Sequence, residues 1–136
     1  MDEINLDAST AVSFVAEGSS VRHFLKATVA GKQMVMTNTA ELEFRDTLLK
    51  NGGLIEQSRG SRLLGKITIV ADNPLARARK LKVTKHLGAN DIVILGTGDM
   101  MGIESLTGDR KAVSAARSQG VNFQVIFHFS PRLKGV

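Results

Sequence analysis

Short apolar runs alternate along the chain with longer segments in which apolar residues recur at helical spacing. The runs at 4–6, 33–36, 66–70, 103–107 and 122–127 predict five strands. Helical spacing predicts helices over 11–16, 21–29, 38–51, 54–64, 91–101 and 110–118, and Pro74 is placed to begin one more, which ends at Gly88. Strands that alternate with helices predict an α/β fold with a mainly parallel central sheet.

The composition is that of an ordinary soluble globular protein. The 136 residues suit a single domain over 1–136, with 43% hydrophobic and 23% charged residues. No apolar run is long enough for a transmembrane helix, and the acidic start MDEINLDAST does not resemble a secretory signal, so we expect a cytoplasmic site of action. The absence of cysteine excludes disulfides, thiolate metal sites and cysteine nucleophiles.

Positive charge is concentrated in the second half of the chain. The formal net charge is +5; residues 1–58 carry five Lys/Arg against eight Asp/Glu, and residues 59–136 carry thirteen against five. Between 59 and 85, eight cations face one acid, Asp72. A solvated surface explains many such runs, but this excess suits a polyanion such as nucleic acid, with binding that weakens as salt rises.

Four acidic residues lie where predicted strands end or helices begin: Asp7, Glu43, Asp91 and Asp109. Sites in parallel α/β folds form beyond the carboxyl ends of the strands, where the connecting loops converge. Clustered carboxylates raise one another's pKa unless a cation neutralises them, and Mg²⁺ and Mn²⁺ prefer oxygen ligands. The joint pattern favours a metal site, although any one of these acids alone is more typical of a solvated surface or a helix cap.

Three segments resemble PIN-domain nucleases. LDAST, at 6–10, resembles the opening strand and Asp-x-Ser/Asn of that family, and MTNTAELEF, at 36–44, resembles its second strand, small cap residue and helical Glu. NDIVILGTGDMMGIESLTGDRKAV, at 90–113, resembles the C-terminal half of the family, in which an Asp that opens a helix is followed eighteen residues later by an Asp in a Thr-x-Asp turn. Asp91 and Asp109 have this separation.

The resemblance implies a three-layer αβα domain that acts as a metal-dependent endoribonuclease with Mg²⁺ or Mn²⁺. Its metal ligands or water-positioning groups would be Asp7, Glu43, Asp91 and Asp109, with Ser9 and Thr107 in support. We expect the RNA backbone to be contacted by Arg77, Arg79, Lys80, Lys82, Lys85, Arg110 and Lys111.

The same resemblance implies a toxin, either of a toxin-antitoxin pair or as a contact-dependent or polymorphic toxin domain. Its substrate would be RNA, with tRNA as one alternative, and its partner a cognate antitoxin or immunity protein. The oligomeric state is left open, with a homodimer as one alternative. Whether the chain is a whole protein or a domain of a larger toxin is also left open.

Two positions leave the ligand set open. Glu41 and Glu43 lie on the same predicted helix, and counting from the cap-like Thr37 favours Glu43. Asp99 comes eight residues after Asp91, so it could share a helix face with Asp91 as an extra ligand. Other acids, Glu56 among them, have no such context and are assigned to solvent. The basic tail at 130–136 is a candidate for mobility.

Two other classes of function remain. A non-catalytic nucleic-acid-binding module would use the basic second half without a metal. A nucleotide-binding protein would use Gly96 and Gly98 after a strand over 92–95, although Gly102 comes one residue too late for a dinucleotide-binding motif. This nucleotide-binding hypothesis requires 91–101 not to be helical.

Overall fold

The sheet of this protein is entirely parallel. The computed structural model describes residues 2–135, so Met1 and Val136, which the domain and tail predictions include, lie outside the described residues. The five strands are β1 (Glu3–Leu6), β2 (Gln33–Thr37), β3 (Thr68–Val70), β4 (Ser105–Thr107) and β5 (Val125–Phe127). Their spatial order is β3-β2-β1-β4-β5, and each neighbouring pair is parallel. The predicted parallel α/β fold is therefore confirmed.

Helices cover both faces of the sheet. They are α1 (Ala8–Val15), α2 (Arg22–Val29), α3 (Asn38–Asn51), α4 (Leu54–Leu64), α5 (Ala76–Arg79), α6 (Ala89–Met101) and α7 (Arg110–Ser118). Because parallel crossovers are right-handed, α1–α4 lie on one face and α5–α7 on the other. One apolar cluster joins the sheet to α1 and α3, and a second joins α5, α6 and α7. The three layers place the carboxyl ends of β1, β2 and β4 at one edge.

At that edge three strands pass directly into capped helices or capped turns. Asp7 caps α1 after β1, Thr37 caps α3 after β2, and Asp109 caps α7 after β4. In each case a side-chain oxygen accepts a backbone N–H of the first helical turn, which would otherwise have no partner. The short polar residues after each apolar run thus set where the chain turns back and fix their own side chains at the edge.

The predicted helix from Pro74 to Gly88 is wrong. Only Ala76–Arg79 is helical, and the chain then continues as irregular backbone to Gly88. The Gln119 side chain satisfies both backbone groups of Lys82, because Lys82 N–H donates to Gln119 Oε1 at 2.8 Å and Lys82 O accepts from Gln119 Nε2 at 2.9 Å. A side chain distant in sequence therefore replaces the helical hydrogen bonds of this segment.

Other predicted boundaries differ by a few residues. The first helix begins at Ala8, not at 11, because Asp7 caps it. The last two strands are shorter than predicted, since only Ser105–Thr107 and Val125–Phe127 join the ladder. Within residues 2–135, no helix has the length and apolar character needed to cross a membrane.

Glu56 is not a solvent residue, so its assignment to solvent is wrong. It is fully buried and accepts backbone N–H groups from Glu17 (2.9 Å), Gly53 (3.1 Å), Lys134 (2.8 Å) and Gly135 (3.0 Å). Burial alone would raise the pKa of Glu56, but the four N–H groups outweigh it and lower the pKa to about 2. The described part of the tail is thus held to α4 by an ionised carboxylate.

Candidate active site

Asp7 lies at the carboxyl end of β1 and is almost fully buried. Its Oδ1 accepts the Ala8 N–H at 2.7 Å, and its Oδ2 accepts the Thr107 hydroxyl at 2.6 Å. Burial raises the pKa of Asp7; the Thr107 hydrogen bond opposes this, and the charge of Glu43 raises the pKa further. Asp7 is therefore a fixed carboxylate close to a second acid, in a place where its negative charge is costly.

Asp91 lies in the first turn of α6, at the same edge of the sheet. Its Oδ2 accepts the Gly88 N–H at 2.9 Å, so one carboxylate oxygen fixes the start of α6. Burial raises the pKa of Asp91 to about 6; the Gly88 N–H opposes this, and the charges of Asp7 and Asp109 add to it. These couplings bring three aspartates from three separate elements into one electrostatic group.

Glu43 lies on the face of α3 that is turned towards these aspartates, whereas Glu41 lies on a different face of the same helix. Glu43 Oε2 accepts Nδ2 of Asn90 at 2.8 Å, and the charge of Glu43 acts on Asp7. Glu41 instead pairs with Arg45 at 2.9 Å on the helix surface. The contact made by Asn90 was missed by the sequence reasoning, and its one signal is a polar residue in the first turn of α6.

Two hydroxyl groups connect Asp7 to the loop that carries Asp109. Thr107 Oγ1 donates to Asp7 and accepts the Asp109 N–H at 3.1 Å. Ser9 Oγ donates to Asp7 Oδ2 at 3.3 Å and accepts the Gly108 N–H at 3.2 Å. Asp109 itself caps α7 through Oδ1. Ser9 and Thr107 therefore hold Asp7 and the loop that carries Asp109 at fixed relative positions.

The side-chain atoms at this edge that could bind a metal ion are carboxylate oxygens. Asp91 Oδ1, Asp109 Oδ2 and Glu43 Oε1 accept no hydrogen bond from residues 2–135, and no Lys or Arg of that range pairs with the four acids. Negatively charged oxygen donors suit Mg²⁺ or Mn²⁺. As the side chains stand, however, no three His, Asp or Glu groups of the described residues converge closely enough to hold an ion. The acids interact electrostatically without forming a closed set of ligands.

Asp99 lies apart from this group. Eight residues along α6 place it about 12 Å from Asp91 in the axial direction. Both of its oxygens lie 2.7 Å from guanidinium nitrogens of Arg77, in a bidentate ion pair. Arg77, predicted to contact nucleic acid, is therefore already engaged by an acid, and the structure does not bring Asp99, the alternative extra ligand, to the other acids.

The other predicted nucleic-acid contacts have different surroundings. Arg79 donates to Pro74 O at 2.7 Å and to the Asn73 side chain at 3.0 Å. Arg110, next to Asp109, lies with its guanidinium 4.3 Å from the centre of the Phe127 ring. The remaining predicted cations are exposed: Lys80, Lys82, Lys85 and Lys111. Arg110 and Lys111 lie at the start of α7, at the edge of the sheet that carries the four acids. We call this edge the acidic edge, after Asp7, Glu43, Asp91 and Asp109.

The nucleotide-binding hypothesis is wrong, because residues 89–101 form a single helix. Its glycines serve packing. A Cβ on Gly96 would lie 2.7 Å from Pro74 Cβ and 2.8 Å from Ala78 Cβ, and a Cβ on Gly98 would lie 2.8 Å from Asn5 Nδ2. The two glycines let α6 approach residues 74–78 on one side and β1 on the other.

A basic cavity that the sequence reasoning did not identify lies away from the acids. It has a volume of about 500 Å³ and lies between α1, α2 and α4, towards the amino ends of β2 and β3. Five of its lining residues are cations, and none is acidic: Arg22, Lys26, Arg59, Arg62 and Lys66. None of the five forms an ion pair with an acid in the part of the chain that the structure describes. Its one sequence signal is the spacing of the last three cations, which places Arg59 and Arg62 on one side of α4 and Lys66 just beyond its end.

Solved structures share this fold at low sequence identity. VapBC2 from Rickettsia felis, in a crystal structure with a DNA fragment from its promoter, matches with a TM-score of 0.65 and 13% identity, over 93% of this chain and 98% of that chain. PAE2754 from Pyrobaculum aerophilum matches with a TM-score of 0.66 and 15% identity, over 93% and 89%. VapC20 from Mycobacterium tuberculosis, a toxin that cleaves the sarcin-ricin loop, matches with a TM-score of 0.52 and 14% identity, over 75% and 86%.

A family profile also matches most of the chain. It covers residues 15–134, which include Glu43, Asp91 and Asp109 and leave β1 and Asp7 outside the matched range. The family is described as "Protein of unknown function (DUF1308)". The order of the elements, the parallel sheet and the matching solved structures all agree with the fold that the sequence resemblance implied. The chain therefore belongs to the DUF1308 family, and its fold is that of a PIN-like domain.

Proposed function

We propose that this protein is a metal-dependent endoribonuclease of the toxin type. One observation carries the proposal: four carboxylates, from the end of β1, α3, α6 and the β4–α7 turn, lie at the carboxyl edge of the sheet, and no Lys or Arg of residues 2–135 pairs with them. Burial and the charge of Glu43 raise the pKa of Asp7, and burial and the charges of Asp7 and Asp109 raise the pKa of Asp91. Carboxylates held at such a cost are stabilised by a bound cation.

The residues that would hold Mg²⁺ or Mn²⁺ are Asp7, Glu43, Asp91 and Asp109. In Asp7, Asp91 and Asp109, one carboxylate oxygen accepts a backbone N–H at the start of a helix, which fixes the side chain. Each carboxylate keeps further lone pairs that could bind a ligand. The ion, when bound, would supply Lewis acidity at the phosphoryl group and a water of lowered pKa. Ser9 and Thr107 orient Asp7, Asn90 orients Glu43, and Arg110 and Lys111 provide positive charge for the substrate phosphate.

The proposed substrate is RNA, and the proposed partner is a cognate antitoxin or immunity protein. The positive net charge supports a polyanionic substrate. The chain shares its fold with VapBC2 and with VapC20, a toxin that cleaves the sarcin-ricin loop. This shared fold supports a toxin role and a structured RNA as the target. The RNA species that is cut when the protein is incubated with total RNA identifies the substrate, for which tRNA is one alternative.

The proposal is tested by incubating purified protein with total RNA in Mn²⁺ or in EDTA. We expect cleavage in Mn²⁺ alone, and a loss of at least about a hundredfold in rate for Asp91→Asn and Asp109→Asn. Asp46→Asn is the matched control, since Asp46 is an exposed acid paired with Lys50 on α3. RNA that stays intact in both buffers would contradict the proposed nuclease activity. Equal rates for Asp91→Asn and Asp46→Asn would remove the acidic edge as its site.

The basic cavity favours a second candidate, a nucleic-acid-binding module without catalysis. Its five cations lie away from the acidic edge, and the acids of the described residues do not converge as a coordination shell. This candidate predicts RNA binding that is unchanged by EDTA and no cleavage with any divalent cation. The same pair of incubations therefore distinguishes the two functions.

A further inference from the structure

A second cavity lies directly beside the acidic edge. It has a volume of about 510 Å³, within the usual range for small-ligand sites. Ser9 and Glu43 line one side, so the cavity opens onto the carboxylates. Its opposite side is formed by residues 130–133 of the C-terminal tail. We call residues 129–135 the strap, and this cavity the strap cavity.

The strap is fixed at both ends. At its start, the backbone N–H of His128 donates to Thr107 O at 3.2 Å, and His128 Nε2 lies 2.7 Å from Thr10 Oγ1. At its far end, Glu56 accepts the N–H groups of Lys134 and Gly135. The strap is therefore a built wall of the cavity, and its position relative to Asp7 is set by hydrogen bonds.

The strap also passes closely over the turn that carries Asp109. A Cβ on Gly108 would collide with Ser130 Oγ and would lie 3.2 Å from Cε1 of His128. Glycine at position 108 thus lets the strap lie against the loop between Thr107 and Asp109. The contact between Gly108 and Ser130 therefore joins the wall of the strap cavity to the loop that carries Asp109, and it fixes the position of one relative to the other.

The lining of the strap cavity matches a nucleotide. Arg132, on the strap, is exposed and forms no ion pair with residues 2–135, so its guanidinium is available to a phosphate. Val12 and Pro131 add apolar surface to the lining, and Thr47 adds a hydroxyl that donates to Glu43 O and can accept a hydrogen bond from a ligand. A cation at one end and apolar walls beside it suit a phosphate with an attached base.

We propose that the strap cavity holds one nucleotide of a single-stranded RNA, next to the phosphate at the acidic edge. Arg132 contacts the backbone phosphate of that nucleotide, and its base lies against Val12 and Pro131. The inference rests on the proposed nuclease function, because that function places the RNA at the acidic edge. The strap then determines which strands of RNA enter the site in a productive position.

The test measures binding without cleavage. A fluorescent single-stranded RNA of about ten nucleotides is titrated with protein in EDTA, and its anisotropy is recorded. We expect Arg132→Ala, and Thr47→Trp, which fills the cavity from α3, each to raise the Kd by roughly tenfold. Arg132→Lys should keep most of the affinity. Arg45→Ala is the control, because it removes an exposed cation outside the cavity, and we expect a change of less than about twofold.

Each outcome decides the proposal separately from the nuclease function. If the wild-type protein cleaves RNA with Mn²⁺ but Arg132→Ala and Thr47→Trp bind like wild type, the nucleotide site is wrong and the nuclease stands. If Arg132→Ala and Arg45→Ala weaken binding equally, net charge explains the effect and the site is again wrong. If no RNA is cut but binding depends on Arg132 and Thr47, the nucleotide site stands and the nuclease falls. Wild-type protein that binds no RNA in EDTA overturns the nucleotide site, and the incubation with Mn²⁺ then decides the nuclease function by itself. Thermal melts confirm that each variant is folded.

Discussion

At the scale of single residues, Asp91 carries the clearest sign that the acidic edge is strained by its own charge. Its pKa is raised to about 6 by burial first and then by the charges of Asp7 and Asp109, against the Gly88 N–H. An elevated carboxyl pKa means that ionisation of the group destabilises the folded state. A site with this property tolerates a neutral residue better than an ionised one when no cation is bound.

We therefore expect Asp91→Asn to be more stable than wild type at pH 7.5 in EDTA. The favourable contribution of Asp91 is fully present below the unfolded-state pKa, near 3.8, and is lost as pH rises through about 6. The Tm difference between variant and wild type should thus grow between pH 4 and pH 7. Asn keeps an oxygen for the Gly88 N–H, so the cap of α6 remains.

Thermal melts over this pH range measure the difference, with Asp46→Asn as the control for loss of one surface charge. A Tm difference that is the same at pH 4 and pH 7.5 would contradict the assigned pKa. A variant less stable than wild type at pH 7.5 would contradict the direction of the effect.

Glu56 shows what an acid does when its surroundings favour the charge. Four backbone N–H groups from three parts of the chain converge on one buried carboxylate. Glu56→Gln replaces one acceptor oxygen by an NH₂ group that faces N–H donors. We expect a loss of roughly 3 kcal/mol in the free energy of unfolding, because buried donors lose a charged acceptor.

Chemical denaturation measures this loss, with Glu17→Gln as the control, since the side chain of Glu17 lies outside the Glu56 contacts and only its backbone N–H takes part. The wild-type contribution should be present above pH 4.5 and lost as pH falls through about 2. Equal stability of Glu56→Gln and Glu17→Gln would show that the four contacts do not hold the strap.

At the scale of elements, the sequence predicted those that depend on local signals. Asp7, Thr37 and Asp109 follow apolar runs and can cap a helix with their own side chains, so the turns at the acidic edge were predictable. The segment after α5 was not, because Gln119 satisfies Lys82 from 37 residues away. Glu56 was missed for the same reason, since two of its donors lie more than 70 residues further along the chain.

Helix α6 shows how packing overrides helix propensity. In an exposed helix, Gly→Ala stabilises by up to about 1 kcal/mol. At Gly96 the added methyl would lie within 3 Å of the side chains of Pro74 and Ala78, and such overpacking costs about 1–3 kcal/mol. We expect Gly96→Ala to destabilise the protein on balance, by about 1 kcal/mol in urea denaturation.

Gly65→Ala is the matched control. Gly65 has a right-handed helical conformation, and an added Cβ would find its nearest atom, Arg62 O, at an ordinary 3.4 Å. We expect Gly65→Ala to be neutral or slightly stabilising. If Gly96→Ala were as stable as Gly65→Ala, α6 would have room to move away from residues 74–78, and the close packing described here would be wrong.

At the scale of the whole molecule, acidic and basic surfaces lie at different ends of the sheet. The acids lie beyond the carboxyl ends of β1, β2 and β4, whereas the basic cavity lies towards the amino ends of β2 and β3. The sequence revealed the excess of positive charge after residue 59, but not which cations form the basic cavity. Arg77 and Arg79 belong to the basic half but are engaged by neighbouring groups. Arg22 and Lys26 line the cavity although they come from the acidic half. An RNA that reaches both surfaces would run along the α1 side of the molecule.

This arrangement predicts the salt dependence of RNA binding. Each phosphate contact contributes about 0.7 to the slope of log affinity against log salt for a single strand. If Arg62 and Lys66 each contact one phosphate, the double variant Arg62→Ala/Lys66→Ala should lower the slope by about 1.4. The control, Arg45→Ala/Lys50→Ala, removes the same charge from two cations that already pair with acids on α3, so its slope should stay near that of wild type. Anisotropy titrations of an RNA hairpin between low and moderate salt give the slopes. Equal slopes for the two double variants would mean that net charge, and not the basic cavity, attracts the RNA.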